Sequence, residues 1–144
     1  MKTLTVTTQA ELDAVLTDPD VTYGNTQIFI DSPAGVTLAV SDRRGLNVHA
    51  FGSSTVWAFN SSAVTAHGSS AVNAFDLSTV TAHDSSAVTA YDSSAVTACD
   101  SSSVIACDSS SVHAYDSSAV TATDSVMVHR HSALATITGG VVQD

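Results

Sequence analysis

The stretch that decides the fold is residues 85–108, SSAVTAYDSSAVTACDSSSVIACD, in which one phrase of eight residues occurs three times. The phrase has the consensus S-S-A-V-T-A-x-D and can be followed from residue 45 to residue 132, through units such as SSTVWAFN, LSTVTAHD and SSSVHAYD. Self-similarity at a short fixed period is typical of a solenoid, because each unit can bury its apolar face only by stacking on its neighbours. The sequence therefore predicts a stack of repeated coils.

Alternation within each unit indicates a β-strand. Valine occupies the fourth slot from Val48 to Val128, and alanine occupies the sixth slot from Ala50 to Ala122. Residues two apart lie on one face of a strand, so these slots point inward and the fifth and seventh slots point outward. A coiled coil would need a period of about 3.5 residues and fewer β-branched residues. We therefore expect an all-β solenoid with a narrow core of small side chains.

The eighth slot predicts a corner of the coil. Glycine, asparagine and aspartate tolerate left-handed backbone angles best, and aspartate and asparagine also bond to the backbone two residues further on. Two serines begin the next unit. The slot holds Gly52, Asn60 and Gly68, and then a turn ladder of aspartates, Asp76, Asp84, Asp92, Asp100, Asp108, Asp116 and Asp124.

The histidines favour one coil length over another. A single unit is too short to close a coil, so two or three units, about 16 or about 24 residues, are the candidates. A coil of two units brings all six histidines onto one face, in the columns His49, His113, His129 and His67, His83, His131. A coil of three units scatters them. We therefore favour a flattened two-sheet solenoid of about five coils, with roughly 16 residues and ~4.8 Å per coil.

The two ends of the chain predict different structures from the repeats. Residues 1–44 form an N-terminal capping region, with a strand at KTLTVT, a capping box from Thr8 to Glu11, a short helix, and strands at IFID and VTLAV. The helix is expected to cover the open sheet edge of the first coil. Residues 45–132 form the solenoid. Arg130 stands in an inward slot, so the regular core should end near Val128, and residues 133–144 form a final strand and tail.

Composition excludes several classes of protein. The 144 residues carry a formal net charge of −10, so the phosphate backbone of DNA or RNA would be repelled. Neither a signal peptide nor an apolar run of membrane-spanning length is apparent, which predicts a cytoplasmic location without membrane partners. Cys99 and Cys107 are too few for a disulfide framework and should be free thiols on opposite faces of the coil.

The repeats resemble the short-repeat β-solenoid proteins of the pentapeptide and hexapeptide kind. They are more similar still to octapeptide S-S-x-V-x-A-x-D arrays of phage and actinobacterial proteins. The resemblance covers roughly residues 45–132 and implies the solenoid fold, while it implies no activity, because such folds host unrelated functions. The five-residue pattern of the pentapeptide family is absent, so that family's partners do not transfer.

An aromatic cluster on the second face is the first candidate functional site. Trp57, Phe59, Phe75 and Tyr91 fall together on the face opposite the histidines. A contiguous exposed aromatic area usually marks an interface, and self-association is the commonest outcome. The alternative is that stacking of the rings only stabilises the coils.

Two further candidates involve metals. His67, His83 and Cys99 are successive rungs of one column, and imidazole with thiolate suits zinc, although structural and pH-sensing roles are alternatives. The aspartate rows offer oxygen ligands to Ca²⁺, but they lack the glycines of calcium-binding repeats, which favours a corner-forming role. No cofactor is predicted.

The sequence favours a non-enzymatic structural or protein-binding module, because a smooth solenoid offers no catalytic pocket. Two alternatives remain open. One is an ice-binding protein that uses the threonine column of Thr65, Thr81 and Thr97, and the other is an acidic decoy that mimics nucleic acid. The aspartate rows are also predicted to oppose folding by like-charge repulsion, so that salt should raise the melting temperature.

Overall fold

The chain folds as an all-β parallel β-solenoid of about 7 turns, with about 16 residues per turn and 7% of residues in a helix. The computed structural model describes residues 2–22, 24–42 and 46–144, without the side chains of Asp42 and Asp124. Within the described residues, no helix is long and apolar enough to cross a membrane. The predicted all-β solenoid and the predicted coil of about 16 residues are thus confirmed.

The elements follow one another with short connections. They are β1 (Lys2–Val6), α1 (Gln9–Thr17), β2 (Thr26–Ile30), β3 (Thr37–Asp42), β4 (Asn47–Ala50), β5 (Thr55–Asn60), β6 (Ala63–Ala66), β7 (Ala71–Ala74), β8 (Thr79–Ala82), β9 (Ala87–Ala90), β10 (Ala95–Ala98), β11 (Ser103–Ala106), β12 (Ser111–Ala114), β13 (Ala119–Arg130) and β14 (Thr136–Gln143).

From β2 to β12, strands that follow one another in sequence lie in different rows. The hydrogen-bonded order is β1-β2-β4-β6-β8-β10-β12-β13-β11-β9-β7-β5-β3, and β14 pairs with β13. We call β1, β2, β4, β6, β8, β10, β12 and the C-terminal part of β13 the even row. The odd row is β3, β5, β7, β9, β11 and the N-terminal part of β13. Strand β13 is long enough to belong to both.

Pairing within a row is parallel and in register. Ala95 in β10 pairs with Thr79 in β8 on one side and with Ser111 in β12 on the other. Each slot of the repeat therefore lies over the same slot of the neighbouring coil. This pairing of units two apart is incompatible with a coil of three units.

The solenoid is longer than the five coils predicted from the repeats. Strands β2 and β3 pair with β4 and β5, and β14 pairs with β13, although none of these three follows the consensus. Strand β2 alternates buried and partly exposed residues without repeating the phrase, and β14 has no buried residue. The predicted boundary between residues 44 and 45 lies outside the described residues.

The core is a double file of small side chains. Valines of the fourth slot expose at most 2% of their surface, and alanines of the sixth slot expose none from Ala50 to Ala114. Larger side chains fill the N-terminal coil, where Ile28, Ile30 and Leu38 are fully buried. The predicted inward slots are confirmed.

The second slot is also an inward slot, which the sequence analysis missed. Its serines are at most 1% exposed from Ser54 to Ser118. Most of them donate their hydroxyl to the carbonyl three residues earlier, as Ser94 does to Tyr91 at 2.8 Å. The sequence held a signal, because the same slot carries Leu46 in the first unit and Val126 in the last, and both are fully buried.

One of these serine hydroxyls has no hydrogen-bond partner among the described residues. Ser102 Oγ is buried without a hydrogen bond, whereas the hydroxyl of Ser94, one unit earlier, is bonded. We expect Ser94→Ala to destabilise the protein by about 1 kcal/mol, because a buried hydrogen bond is lost. Ser102→Ala should be neutral or slightly stabilising, because it removes an unsatisfied polar atom. Urea midpoints of the two variants check this, and equal destabilisation would contradict it.

The corners have the predicted left-handed backbone. Asn60 and the aspartates from Asp76 to Asp116 have φ between 53° and 59°, and Gly52 and Gly68 have φ of 61° and 63°. Asparagine, aspartate and glycine are the residues that adopt this conformation with least strain. The eighth slot therefore specifies where each strand ends.

The helix α1 begins as predicted. Thr8 Oγ1 accepts a hydrogen bond from Glu11 N at 3.2 Å, and Glu11 Oε2 accepts from Thr7 N at 2.7 Å. Leu12 is fully buried. The Gln9 side chain accepts from Ala39 N at 2.7 Å and donates to Ala39 O at 3.1 Å, so the helix is bonded to β3.

The C-terminal strand β14 runs along both parts of β13, with a register shift between Ala122 and Met127. Gly139 has φ +76°, and a Cβ there would lie 2.1 Å from Ala122 O, so glycine is required by both conformation and space. Arg130 pairs in register with Ala114, but its half-exposed side chain forms a salt bridge with Asp144 instead of entering the core.

The coil length can be tested by deletion. Removal of residues 85–100 takes out two units, so the remaining strands keep their rows and the protein should stay folded, shorter by one coil. Removal of residues 85–92 exchanges the rows beyond the cut, which places the histidine and aromatic columns on the wrong faces. We expect that variant to lose most of its cooperative thermal transition by circular dichroism. Equal tolerance of the two deletions would refute a coil of two units.

Candidate functional site

The aromatic patch, which we define as Trp57, Phe59, Phe75 and Tyr91, lies together on the odd row. Strands β5 and β7 pair in register, and the backbone of Tyr91 bonds to Ala74 of β7 at 2.8 Å. Phe59 stacks on Phe75 with ring centroids 4.9 Å apart, and Phe75 stacks on Tyr91 at 5.0 Å. The structure thus brings together all four residues predicted from the sequence.

The rings of this patch present their edges outward. Their planes lie within 9° of one another along the stack, so the faces are covered by neighbouring rings. Trp57 packs edgewise against Phe59 and Phe75 and is 44% exposed. Cys107 and Thr123 occupy the same column beyond Tyr91, so the stack ends there.

The even row carries all six histidines, as predicted. In the seventh slot, His67 stacks between Phe51 and His83, with centroids 4.7 and 5.4 Å away. The column then passes Cys99 and resumes with Tyr115 on His131 at 4.3 Å.

Three rings of the histidine face were missed by the sequence analysis. Phe29 packs edgewise on His49 and Phe51, and Tyr115 stacks on His131. Phe51 and Tyr115 stand in the seventh slot of their units, so slot position could have identified them. Phe29 could not be found in this way, because β2 lies 20 residues rather than 16 before its partner, as the pairing of Gln27 with Asn47 shows.

Two imidazoles on this face are harder to protonate than usual. Burial, followed by the charge of His67, lowers the pKa of His49, whose Nδ1 lies 3.4 Å from His67 Nε2. Burial, followed by the charges of His129 and His131, lowers the pKa of His113.

The proposed metal ligands His67, His83 and Cys99 do lie on successive rungs. The two imidazoles are stacked in parallel planes, and His83 Nδ1 lies 3.4 Å from Asp100 Oδ2. Burial, then the charges of Asp116 and Asp100, raises the pKa of the Cys99 thiol. In the described part of the chain, no three His, Cys, Asp or Glu side chains are arranged to hold a metal ion. A bound metal would have to reorient these side chains.

Both cysteines are free thiols, as predicted. Cys99 follows β10 in the even row, and Cys107 follows β11 in the odd row, so the two lie in different rows.

The aspartates of the corners bond differently from the prediction. Each carboxylate from Asp76 to Asp116 accepts a hydrogen bond from the backbone N–H of the corner one coil earlier. Asp92 accepts from Asp76 at 3.2 Å, and Asp100 accepts from Asp84 at 3.1 Å. The predicted bond to the residue two positions further on is wrong as their main contact, because the left-handed corner directs the side chain along the solenoid. The aspartates therefore join neighbouring coils.

A shallow cavity of about 300 Å³ lies at the end of the solenoid. It is lined by Arg130, His131, Ser132, Ala133 and Asp144. The Arg130 guanidinium holds the pKa of the Asp144 carboxyl below its ordinary value. Because this salt bridge occupies the cavity wall, the site offers no free cation to a ligand.

No protein-family model, curated protein or solved structure matches the chain.

The aspartate rows lead to a prediction about salt. The carboxylates from Asp76 to Asp116 are exposed, and neighbouring like charges cost ~0.8 kcal/mol each at ~5 Å in water. Backbone N–H donors are neutral, so they leave the net charge of each row in place. Between about 0.02 and 0.5 M sodium chloride the Debye length falls from ~20 to ~4 Å, and the melting temperature at pH 7 should rise.

A matched variant tests the cause of the salt effect. Asp92→Asn with Asp100→Asn keeps a residue that tolerates the left-handed corner, as Asn60 does, and keeps an acceptor oxygen. The salt-induced rise should shrink in this variant. A melting temperature of the unmodified protein that stays constant or falls with salt would contradict the prediction.

Proposed function

We propose that the protein is a non-enzymatic structural module of the octapeptide-repeat solenoid kind, and that its aromatic patch joins two copies of the chain. The stacked rings at 4.9 and 5.0 Å, with the half-exposed Trp57 against them, are the observation that carries this proposal. A rigid apolar area of this kind is typical of an interface core.

The charge pattern of the odd row supports a second copy as the partner. The outward fifth and seventh slots from Trp57 to Thr123 hold no charged side chain. Charged residues are depleted and aromatic residues enriched at interface cores, so this composition fits a buried surface.

The corners beside the aromatic strands favour the same partner. Each copy carries a net charge of −10, so two copies repel unless their contact avoids the aspartates. The corners that flank β5 are Gly52 and Asn60, and the one before β7 is Gly68, all uncharged. The aspartate ladder begins only at Asp76. The first carboxylates of the ladder, Asp76 and Asp84, accept from Asn60 N and Gly68 N, so two identical aromatic patches would meet with these charges at the rim of the contact.

Rigidity of the platform is part of the proposal. We regard the two rows as two sheets of a flattened solenoid, with α1 as a cap on the edge of β3. The fully buried Leu12 and the paired hydrogen bonds of Gln9 to Ala39 support the capping role. Because α1 covers the edge of β3, a second copy cannot add a strand there. The aromatic patch on the side of the solenoid is then the surface available for association.

Association should be modest in strength. Full burial of an aromatic side chain contributes about 1.5 to 3 kcal/mol, and the stacked rings are already partly buried in the monomer. Association also costs several kcal/mol of translational and rotational freedom. We therefore expect a dimer that dissociates at about micromolar concentration.

Trp57→Ser with Phe75→Ser should convert this dimer to a monomer, because the two changes remove the central rings of the patch. Sedimentation velocity and equilibrium across about three decades of concentration measure the change. The fold should remain, since both side chains point outward, and circular dichroism checks this.

Leu77→Ser with Leu134→Ser is the matched control. Both leucines are more exposed than Trp57, at 65% and 72%, but they lie outside the aromatic patch. The control should sediment as the unmodified protein does. A monomeric unmodified protein at high concentration, or loss of the dimer in the control alone, would overturn the proposal.

Ice binding is a second candidate, which the register of the threonine column favours. Thr65 pairs with Thr81, and Thr81 pairs with Thr97, so three threonines repeat at the spacing of the coils on the even row. The adjacent column holds the rings His67 and His83 in place of a second threonine rank. Thermal hysteresis of the monomeric Trp57→Ser, Phe75→Ser variant would show that the threonine column acts independently of the aromatic patch.

A further inference from the structure

His113 and His131 are joined across the seam between β12 and β13. His113 Nδ1 lies 2.8 Å from His131 Nε2, and the ring planes lie within 10° of each other. The backbone amide of His131 donates to Ala114 O at 2.9 Å on the same rung. The imidazole pair therefore adds a side-chain bond at the point where the chain leaves β13 for β14.

A nitrogen-to-nitrogen contact of this length requires a proton between the rings. One nitrogen must donate and the other must accept, so the pair is stable when both rings are neutral or when one of them is charged. If both rings are protonated, neither nitrogen can accept, and two positive charges face each other at hydrogen-bond distance. The second proton therefore breaks the bond that the first leaves intact.

The surroundings of the pair strengthen this effect. His129 of β13 stacks on His113 at 4.7 Å, and Tyr115 stacks on His131 at 4.3 Å. Thr97 of β10 and Gln143 of β14, on the neighbouring strands, are uncharged. Two other sets of titratable groups lie on or beside the strands that pack against this pair. Arg130 and Asp144 form a salt bridge and neutralise each other. Cys99, Asp100 and Asp116 lie on the adjoining rungs.

We propose that His113 and His131 form an acid-sensitive latch that holds β13 and β14 on β12. The latch is closed while the two rings share one hydrogen-bonded proton, and it opens when both rings are protonated. A second histidine pair, His49 and His67, lies at the N-terminal end of the even row. Its nitrogens are 3.4 Å apart, and it does not join the C-terminal strands β13 and β14 to the solenoid. The latch is thus particular to the C-terminal coil.

The sign of the pH dependence follows from the environment of His113. Burial, then the charges of His129 and His131, lowers its pKa from the ordinary value of 6.5. The open coil, whose imidazole titrates normally, therefore binds a proton more readily than the closed coil. The closed state has its full stability above about pH 6.5 and loses it as the pH falls through the lowered pKa.

Hydrogen exchange of the full chain at pH 7.5 and 5.5, corrected for intrinsic exchange, measures the opening. Amides of β13 and β14 should exchange about tenfold faster at the lower pH, whereas those of β8 and β10 should change less than about twofold. Nitrogen chemical shifts should show that His113 is protonated at a lower pH than an ordinary imidazole, and replacement of His131 should raise the pH at which His113 is protonated.

His113→Thr removes the latch without disturbing the column, because threonine occupies the same slot on the three preceding rungs. In this variant the acid-dependent exchange of β13 and β14 should fall below about twofold. His49→Thr is the matched control and should keep the tenfold effect. If His113→Thr fails to fold, His131→Phe retains the stack on Tyr115 and serves the same purpose.

Three outcomes would overturn the latch. Acid could accelerate exchange equally in all coils, His113→Thr could keep the tenfold effect, or the protonation of His113 could fail to respond to replacement of His131.

Discussion

The whole structure depends on one constraint, the in-register parallel ladder in which each strand pairs only with strands one coil away. Parallel strands cannot be joined by a tight hairpin, so the chain must travel around the core before it meets its own edge again. The left-handed corners at the eighth slot make that travel identical in every coil, with φ of 53° to 63° at the described repeat corners from Gly52 to Asp116. Core, ladders and faces all inherit their spacing from this register.

Because the strands pair in register, residues in the same slot of successive coils lie in contact and form a column. Phe59, Phe75 and Tyr91 stack because their slots coincide, and the same rule places His113 beside His129. The buried serines obey it as well, since most of their hydroxyls donate to the carbonyl three residues earlier, as Ser94 does to Tyr91. The solenoid therefore has two chemically distinct rows of strands, an odd row with uncharged aromatic side chains and an even row with titratable imidazoles.

The features that depend only on the eight-residue period could be predicted from the sequence. The inward valines and alanines, the corners, the coil length and the single histidine face all follow from counting slots. The remaining features depend on three-dimensional detail that periodicity does not contain. The bond from an aspartate carboxylate to the corner one coil earlier requires the direction of a side chain at a left-handed residue. The coil formed by β2 and β3 was hidden because its connections are longer than the repeat, and Phe29 was hidden with it.

The identity of successive coils has a consequence for how such a chain changes during evolution. A coil that is added or removed as a whole leaves every remaining strand with an equivalent neighbour, so duplication of one coil's worth of coding sequence creates no loop and no unpaired edge. The segment SSAVTA occurs in four units, beginning at residues 61, 85, 93 and 117, as would be expected of a chain that grew by copying itself. The number of coils is therefore the property that this architecture can change most easily. The outward-facing residues, by contrast, change by single substitutions at individual positions of a column.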